Sequence, residues 1–258
     1  MSNDSPREIL FHGHVNSQAI QVERQGNLLS LHFDNDIIQS QIDTLNPAIL
    51  PLKGNRQMLS HLMFNHVPEK VMLVGCGGGS LARWFKYHLP KTTGIAIDQW
   101  DTIINIARRY FQFPAKQDGW QLVHAEANQY LQNLDEVYDL IIVDLEINKQ
   151  TPEWITSQAF LLNCHRLLSE NGAINVNLIA DTPEIFSRQL WPIRQVFSGR
   201  TYCHASQANN IFVTAFKNKP DTSDLKTNID IAEKRYGIEF SLFYQELLRD
   251  NPKNSGIF

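Results

Sequence analysis

The chain has 258 residues, 23 basic and 27 acidic, with a formal net charge of −4, a length that supports one sizeable α/β core, alone or with a small appendage, without disulfides or metals. Near-balanced charge excludes a partnership dominated by attraction to nucleic acid or an anionic membrane and leaves a small molecule or a protein as partner. Cys76, Cys164 and Cys203 are few, odd in number and far apart, which excludes a disulfide framework and suits a reducing compartment, where they read as packing residues.

The first residues, Met-Ser-Asn-Asp-Ser-Pro-Arg-Glu, lack a basic stretch followed by an apolar one. No uninterrupted apolar run approaches the roughly 20 residues that span a bilayer, so the expectation is a soluble cytoplasmic protein. Up to residue 45 the apolar residues alternate, at Ile9-Leu10-Phe11, Ala19–Val22, Leu28–Phe33 and Ile37-Ile38, with polar turns at Arg24–Asn27 and Asp34–Asp36. This pattern predicts a small antiparallel β unit. Met58, Leu59, Leu62 and Met63 predict a helix over Arg56–Phe64, closed by Pro68.

From Val71 strands and helices alternate. Strands are expected at Val71–Val74, Thr93–Ile97, Trp120–His124, Tyr138–Val143 and Ala173–Leu178. Helices are expected at Ser80–Tyr87, Thr102–Tyr110, Asn128–Leu134, Ser157–Leu168 and Pro183–Phe197. That order implies an α/β fold, a doubly wound, mostly parallel sheet with helices on both faces. Arg200–Ser206 and Asn210–Phe216 look like a closing antiparallel pair. The tail after Thr222 is read as polar, with an amphipathic segment at Phe240–Leu248 and a frayed end from Asn251.

Between the first strand of this alternation and its helix lie Gly75, Cys76, Gly77, Gly78 and Gly79. A strand, clustered glycines and a helix start together aim backbone N–H groups and the positive end of a helix dipole at one point, and missing Cβ atoms let a ligand touch the main chain. Gly75, Gly77 and Gly79 give the G-x-G-x-G spacing common in sites for S-adenosylmethionine and its relatives, whereas a dinucleotide turn would want its third glycine at Ser80. A tight turn without ligand is the plain alternative.

Ligands in open parallel sheets bind beyond the carboxyl ends of the strands, where this chain carries Asp98, Glu126 and Asp144. Asp98 also suits a cap for the helix beginning near Asp101, and Glu126 also suits a solvated loop. Asp144 ends the apolar run Leu140–Val143, a place where an ionised carboxylate needs water or a cationic partner. His12 and His14 alternate on one strand face without other ligands nearby and read as surface residues, so no metal is expected. Trp84, Phe85 and Tyr87 read as a helix face packed on the sheet.

With these residues placed, the chain resembles the spermidine synthase (polyamine aminopropyltransferase) family from about Leu28 to Phe216. The resemblance is carried by Asp36-Ile-Ile-Gln39, Gln57-Met-Leu-Ser-His61, the turn Gly75–Arg83, Ala96-Ile-Asp98, Ala125-Glu-Ala127 and Tyr138–Asp144. It implies a small N-terminal β domain (1–50), a methyltransferase-like Rossmann donor-binding catalytic domain (51–220) and a homodimer; residues 221–258 read as a C-terminal helical tail. It implies decarboxylated S-adenosylmethionine as donor and a small amine as acceptor. Position by position, Gln39 and His61 fall where members line the donor and amine site, Glu126 and Ala127 fall where the adenine is received, and Asp144 matches the acid that deprotonates the attacking amine.

Three positions depart from the family pattern. Gly78 stands where members carry an acid in the turn, Ile147 where they carry the second acid of D-x-x-D, and Ala96 where they carry a ribose-binding Glu. The first departure removes an acid that would repel the carboxylate of S-adenosylmethionine. Two further readings therefore stand beside aminopropyl transfer: a methyltransferase that uses S-adenosylmethionine on a small acceptor, and a non-catalytic paralogue.

Overall fold

Alternating apolar residues build the amino-terminal sheet of the computed structural model, which describes residues 5–34, 37–206, 209–253 and 255–257. Strands β1 (Arg7–Val15), β2 (Gln18–Gln25), β3 (Leu28–Phe33) and β4 (Ile37–Asp43) pair in antiparallel sequence order. Ile20, Val22, Leu29, Leu31 and Ile42 bury their side chains, while Gln21, Glu23 and Gln41 at alternate positions stay partly exposed. Asn16 and Ser17 both have positive φ, the pair of left-handed residues that a two-residue hairpin requires. In the β3–β4 pairing Leu31 faces Ser40 and His32 faces Ile38, so Gln39 is the extra residue of a bulge. Asp36 of the family pattern and part of the Asp34–Asp36 turn lie outside the described residues.

A short helix α1 (Lys53–Gln57) leads to a 3-10 turn at Ser60–Phe64. Then follow β5 (Lys70–Val74), α2 (Ser80–His88), β6 (Thr93–Asp98), α3 (Asp101–Tyr110), β7 (Trp120–His124), α4 (Ala127–Gln132) and β8 (Tyr138–Val143). The remainder is α5 (Gln158–Leu167), β9 (Leu168–Ile179), α6 (Pro183–Val196), β10 (Thr201–Ala205), β11 (Asn210–Phe216), α7 (Leu225–Tyr236) and α8 (Phe240–Asp250). A seven-stranded sheet runs in the order β10-β11-β9-β8-β5-β6-β7. Strand β8 is parallel to β5 and β9, and β6 is parallel to β7, while β11 lies antiparallel between β9 and β10. This is the expected mostly parallel, Rossmann-like sheet with a separate antiparallel sheet ahead of it.

The chain divides into two compact units, Met1–Asn55 with Gly75–Glu126, and Arg56–Val74 with Ala127–Phe258. In the first, α3 packs on β6 and β7, and α2 approaches β4. In the second, α5 and α6 pack on β9, α8 lies on β10, and α7 lies against the Ser60–Phe64 turn. Leu140 to Val143 of β8 are all buried, the continuous apolar run of a strand covered on both faces.

Five expectations need correction. The helix over Arg56–Phe64 is two pieces, because Leu59 N–H reaches back only to Arg56 O and Leu62 N–H to Leu59 O, tightening the backbone so that Met58, Leu59, Leu62 and Met63 are all buried. Strand β9 begins at Leu168, five residues before Ala173. Its polar stretch Ser169–Gly172 forms an irregularity opposite Asp139, which accepts from Ser169 Oγ at 2.8 Å. Helix α7 stands in what reads as polar tail, docked through Leu225, Ile229, Ala232 and Tyr236. The end is also anchored: Asn251 is 3% exposed, its Oδ1 accepts from Cys203 N–H and its Nδ2 donates to Cys203 O, both at 2.7 Å, and Ile257 N–H bonds Thr201 O. Finally, Trp84 and Phe85 are buried as read, but Tyr87 points outward at 47% exposure.

Candidate functional site

Gly75, Gly77 and Gly79 have φ of 99°, 48° and 72°, a left-handed run that residues with a Cβ resist. Gly79 is the residue on which α2 starts. Gly75 N–H bonds Ile97 O at 2.9 Å, and Cys76 N–H donates to Asp98 Oδ2 at 3.1 Å, so the turn is tied to the end of β6. Asp98 Oδ1 accepts from Trp100 N–H at 2.9 Å, and Asp98 O accepts from Ala125 N–H at 3.0 Å. Asp98 thereby unites the glycine turn, the start of α3 and the segment that carries Glu126. Burial pushes its pKa up, against the two amide bonds and nearby His124, which hold it down. Both of its oxygens are engaged by main chain, so it organises the site from beneath.

The bulge on β4 contributes as well. Bulges re-aim side chains, and here Ser40 is buried with its Oγ accepting from Gly78 N–H at 2.7 Å. A Cβ added at Gly78 would lie 2.8 Å from Ser40 Cβ and 2.9 Å from Phe111 Cδ1. The acid expected at that position has no room, which explains the glycine physically. Arg83, fully buried in α2, holds the same region with Nε on Pro47 O and Nη1 on Phe111 O, both 2.9 Å, and Nη2 on Gln41 O at 3.4 Å. Burial lowers its pKa to about 10, which leaves it charged at neutral pH. Ser80 Oγ at the start of α2 is buried without a partner among the described residues. Gln39, half-buried, adjoins Ser40, and Glu126, half-buried, immediately precedes α4, whose first residue Ala127 is buried.

In the other unit, Asp144 follows the last residue of β8, with its N–H on Val74 O at 2.9 Å, beside the final residue of β5. Its Oδ1 accepts from Asn177 Nδ2 of β9 at 2.9 Å. Surrounding protein pushes its pKa up and the Asn177 bond opposes that shift. The side chain nonetheless stays open to solvent, so a dissolved reactant can reach it.

His61 is placed differently. It is fully buried, its Nδ1 pairs with Met58 O at 3.3 Å, and its ring meets His66 edge-on with centroids 5.4 Å apart. Burial, then the neighbouring His66, push its pKa well below 6.5, so it is neutral, and its Nε2 has no partner among the described residues. Hydrogen bonds join the glycine turn to Asp98, Asp98 to the Glu126 segment, and Ser40 of β4 to Gly78. Among the described residues His61 takes no part in these bonds.

Sequence reasoning missed Ser40 and Asn177, and it noted Arg83 only as the end of the matched turn without giving it a role. Asn177 left a signal, since Asn175 and Asn177 interrupt the apolar run Ile174–Leu178 at a two-residue period. Among the described residues no three His, Cys, Asp or Glu side chains are grouped to hold a metal, and the three cysteines are buried free thiols.

A mostly parallel, Rossmann-like sheet with a glycine turn after β5 places the chain among Rossmann-like α/β proteins. Residues 52–205 match the family model described as the spermine/spermidine synthase domain, and the chain belongs to that family. It is 30% identical over 241 residues to the polyamine aminopropyltransferase of Chromobacterium violaceum, covering 92% of each chain. Its fold is similar to that of a probable spermidine synthase from Corynebacterium glutamicum (TM-score 0.76, 17% identity, 88% of this chain and 87% of that one). A spermidine synthase in complex with the transition-state analogue AdoDATO is similar too (TM-score 0.66, 19% identity, 89% and 88%).

Proposed function

We propose that this chain, a transferase by family, moves the aminopropyl group of decarboxylated S-adenosylmethionine to a small amine. The observation that carries this reading is Asp144: a solvent-reachable carboxylate at the end of a buried strand, fixed by Asn177, with a raised pKa. The amine nitrogen attacks the methylene carbon next to the sulfonium, the C–S bond breaks, and its electron pair returns to sulfur to leave neutral methylthioadenosine. The nitrogen loses one proton, and Asp144 accepts it. The protein's contribution is alignment plus that proton transfer. A raised pKa makes Asp144 a stronger base, and it works only while ionised.

The turn at Gly75, Gly77 and Gly79, with Gln39, Glu126 and Ala127, is assigned to the nucleoside, with Asp98 beneath it; His61, fully buried, is given no contact with the amine. The reading includes a donor domain over 51–220, a homodimer, action in the cytoplasm, and no need for metal, nucleic acid or membrane. Asp144→Asn keeps the shape and an acceptor for Asn177 but cannot take the proton. We expect turnover to fall on the order of 10²–10⁴-fold, with methylthioadenosine still raising the melting temperature. Unchanged turnover rejects the assignment.

Gly78 favours a second reading, methyl transfer from S-adenosylmethionine, because no acid at that buried glycine repels the donor's carboxylate. Side-by-side calorimetry with the two donors decides: clear preference for the decarboxylated form removes it.

A further inference from the structure

The loop after Asp144 turns back at once. Ile147 and Gln150 exchange both backbone hydrogen bonds, at 3.0 and 3.1 Å, around Asn148 and Lys149, whose φ values are 52° and 61°. Two consecutive left-handed residues make the tight turn that fits strand twist, so Lys149 is held at the tip of a rigid hairpin. Thr151, next along the loop, is buried and its Oγ1 accepts from Ile179 N–H at 2.7 Å, clamping the hairpin to the end of β9.

A pocket of about 360 Å³ lies there, lined by this hairpin, by Glu153, by Ile179 and Asp181, and by Arg188 and Gln189 of α6. Asn177, which holds Asp144, and Ile179, which lines the pocket, are two residues apart on one strand and so share a face. The pocket is thus reached from the proton-accepting carboxylate along a single pleat of β9.

Its charge is mixed. Lys149 and Arg188 carry no ion pair among the described residues, Glu153 has no ion pair either, and Asp181 accepts from Asn209 Nδ2 at 2.9 Å. Gln189 Oε1 is a buried acceptor without a partner, while its Nε2 is held on Ile179 O at 3.2 Å. Two unpaired cations repel a linear polyamine and attract a carboxylate, and the two acids with Gln189 Oε1 offer acceptors to an ammonium.

We propose that this pocket selects the acceptor, and that the acceptor is an amine that also bears a carboxylate, a diamino acid in place of a plain diamine. This rests on the aminopropyl-transfer reading. The test uses the full chain with decarboxylated S-adenosylmethionine and two acceptors that differ by one carboxylate, 1,4-diaminobutane and 2,5-diaminopentanoate. We expect kcat/KM to favour the carboxylated acceptor on the order of tenfold or more, as loss of one charged hydrogen-bond partner commonly does. Lys149→Glu with Arg188→Glu should abolish or reverse that preference while the stabilisation by methylthioadenosine stays. A preference for the plain diamine, or a ratio unmoved by the double variant, overturns the proposal.

If neither acceptor turns over, aminopropyl transfer itself fails, and the pocket is judged by binding. 2,5-diaminopentanoate raising the melting temperature of the unaltered chain but not of the double variant supports it. No such shift overturns it.

Discussion

Replacing Gly78 by alanine tests whether the glycine turn is shaped by the protein that packs on it. The added methyl would stand 2.8 Å from Ser40 Cβ and 2.9 Å from Phe111 Cδ1, whereas ordinary contacts begin at 3.4 Å. Ser40 and Phe111 must each yield by about half an ångström, and overpacking of this kind costs about 1–3 kcal/mol. Moving Ser40 also lengthens its 2.7 Å bond to Gly78 N–H, a contribution of about 1 kcal/mol. The expected loss is about 2–4 kcal/mol, or roughly 4–8 °C in melting temperature for a chain of this size. Calorimetry on Gly78→Ala, on Phe111→Leu and on the double variant measures it. The double variant should recover part of the loss, because a leucine leaves space where the ring edge was. A melting temperature for Gly78→Ala within a degree of the unaltered chain, or no recovery in the double variant, would refute the packing account.

Other outcomes follow from the same contacts. Arg83→Ala strips the donors from Pro47 O, Phe111 O and Gln41 O and leaves a cavity, so it should cost about 3–5 kcal/mol by urea unfolding. Stability should fall as pH drops below about 6.5, because buried His61 and His66 have folded pKa values depressed below the value of 6.5 at which the unfolded chain protonates. Each contributes up to about 1.4 kcal/mol per pH unit in that window, and His61→Gln should shallow the slope seen in melting curves from pH 7 to 5. Asn177→Ala removes the bond that holds the Asp144 pKa down. The acid limb of the rate profile should therefore move to higher pH, a shift that loss of folding alone would not give.

The fold was legible wherever periodicity and punctuation agreed. Strands β7 and β8 begin and end at the residues the pattern indicates, with Gly119 just before β7 and Asp144 just after β8. Strand β9 did not, because Ser169–Gly172 has loop composition and is held in the strand by distant partners, Asp139 on Ser169 and Lys217 N–H on Gly172 O. Within the helical tail expected over 221–258, helix α7 was not placed because its buried positions are diluted by Lys226, Asn228, Asp230 and Lys234. Of the site, the glycine turn and Asp144 could be read from strand ends. Ser40 and Arg83 could not: their roles exist only once β4, Phe111 and α2 are brought together in space. His61 matched a family position, yet sequence could not reveal that its ring lies sealed beside His66.

The clasp of Ser40 on Gly78, with Arg83 reaching across to Gln41 and Pro47, means that the leading sheet is no detachable module. Grafting into this chain a turn that bears an aspartate at position 78 would set a foreign side chain against Ser40 and Phe111. Chimeras of this chain should therefore exchange residues 40, 78, 83 and 111 as one block.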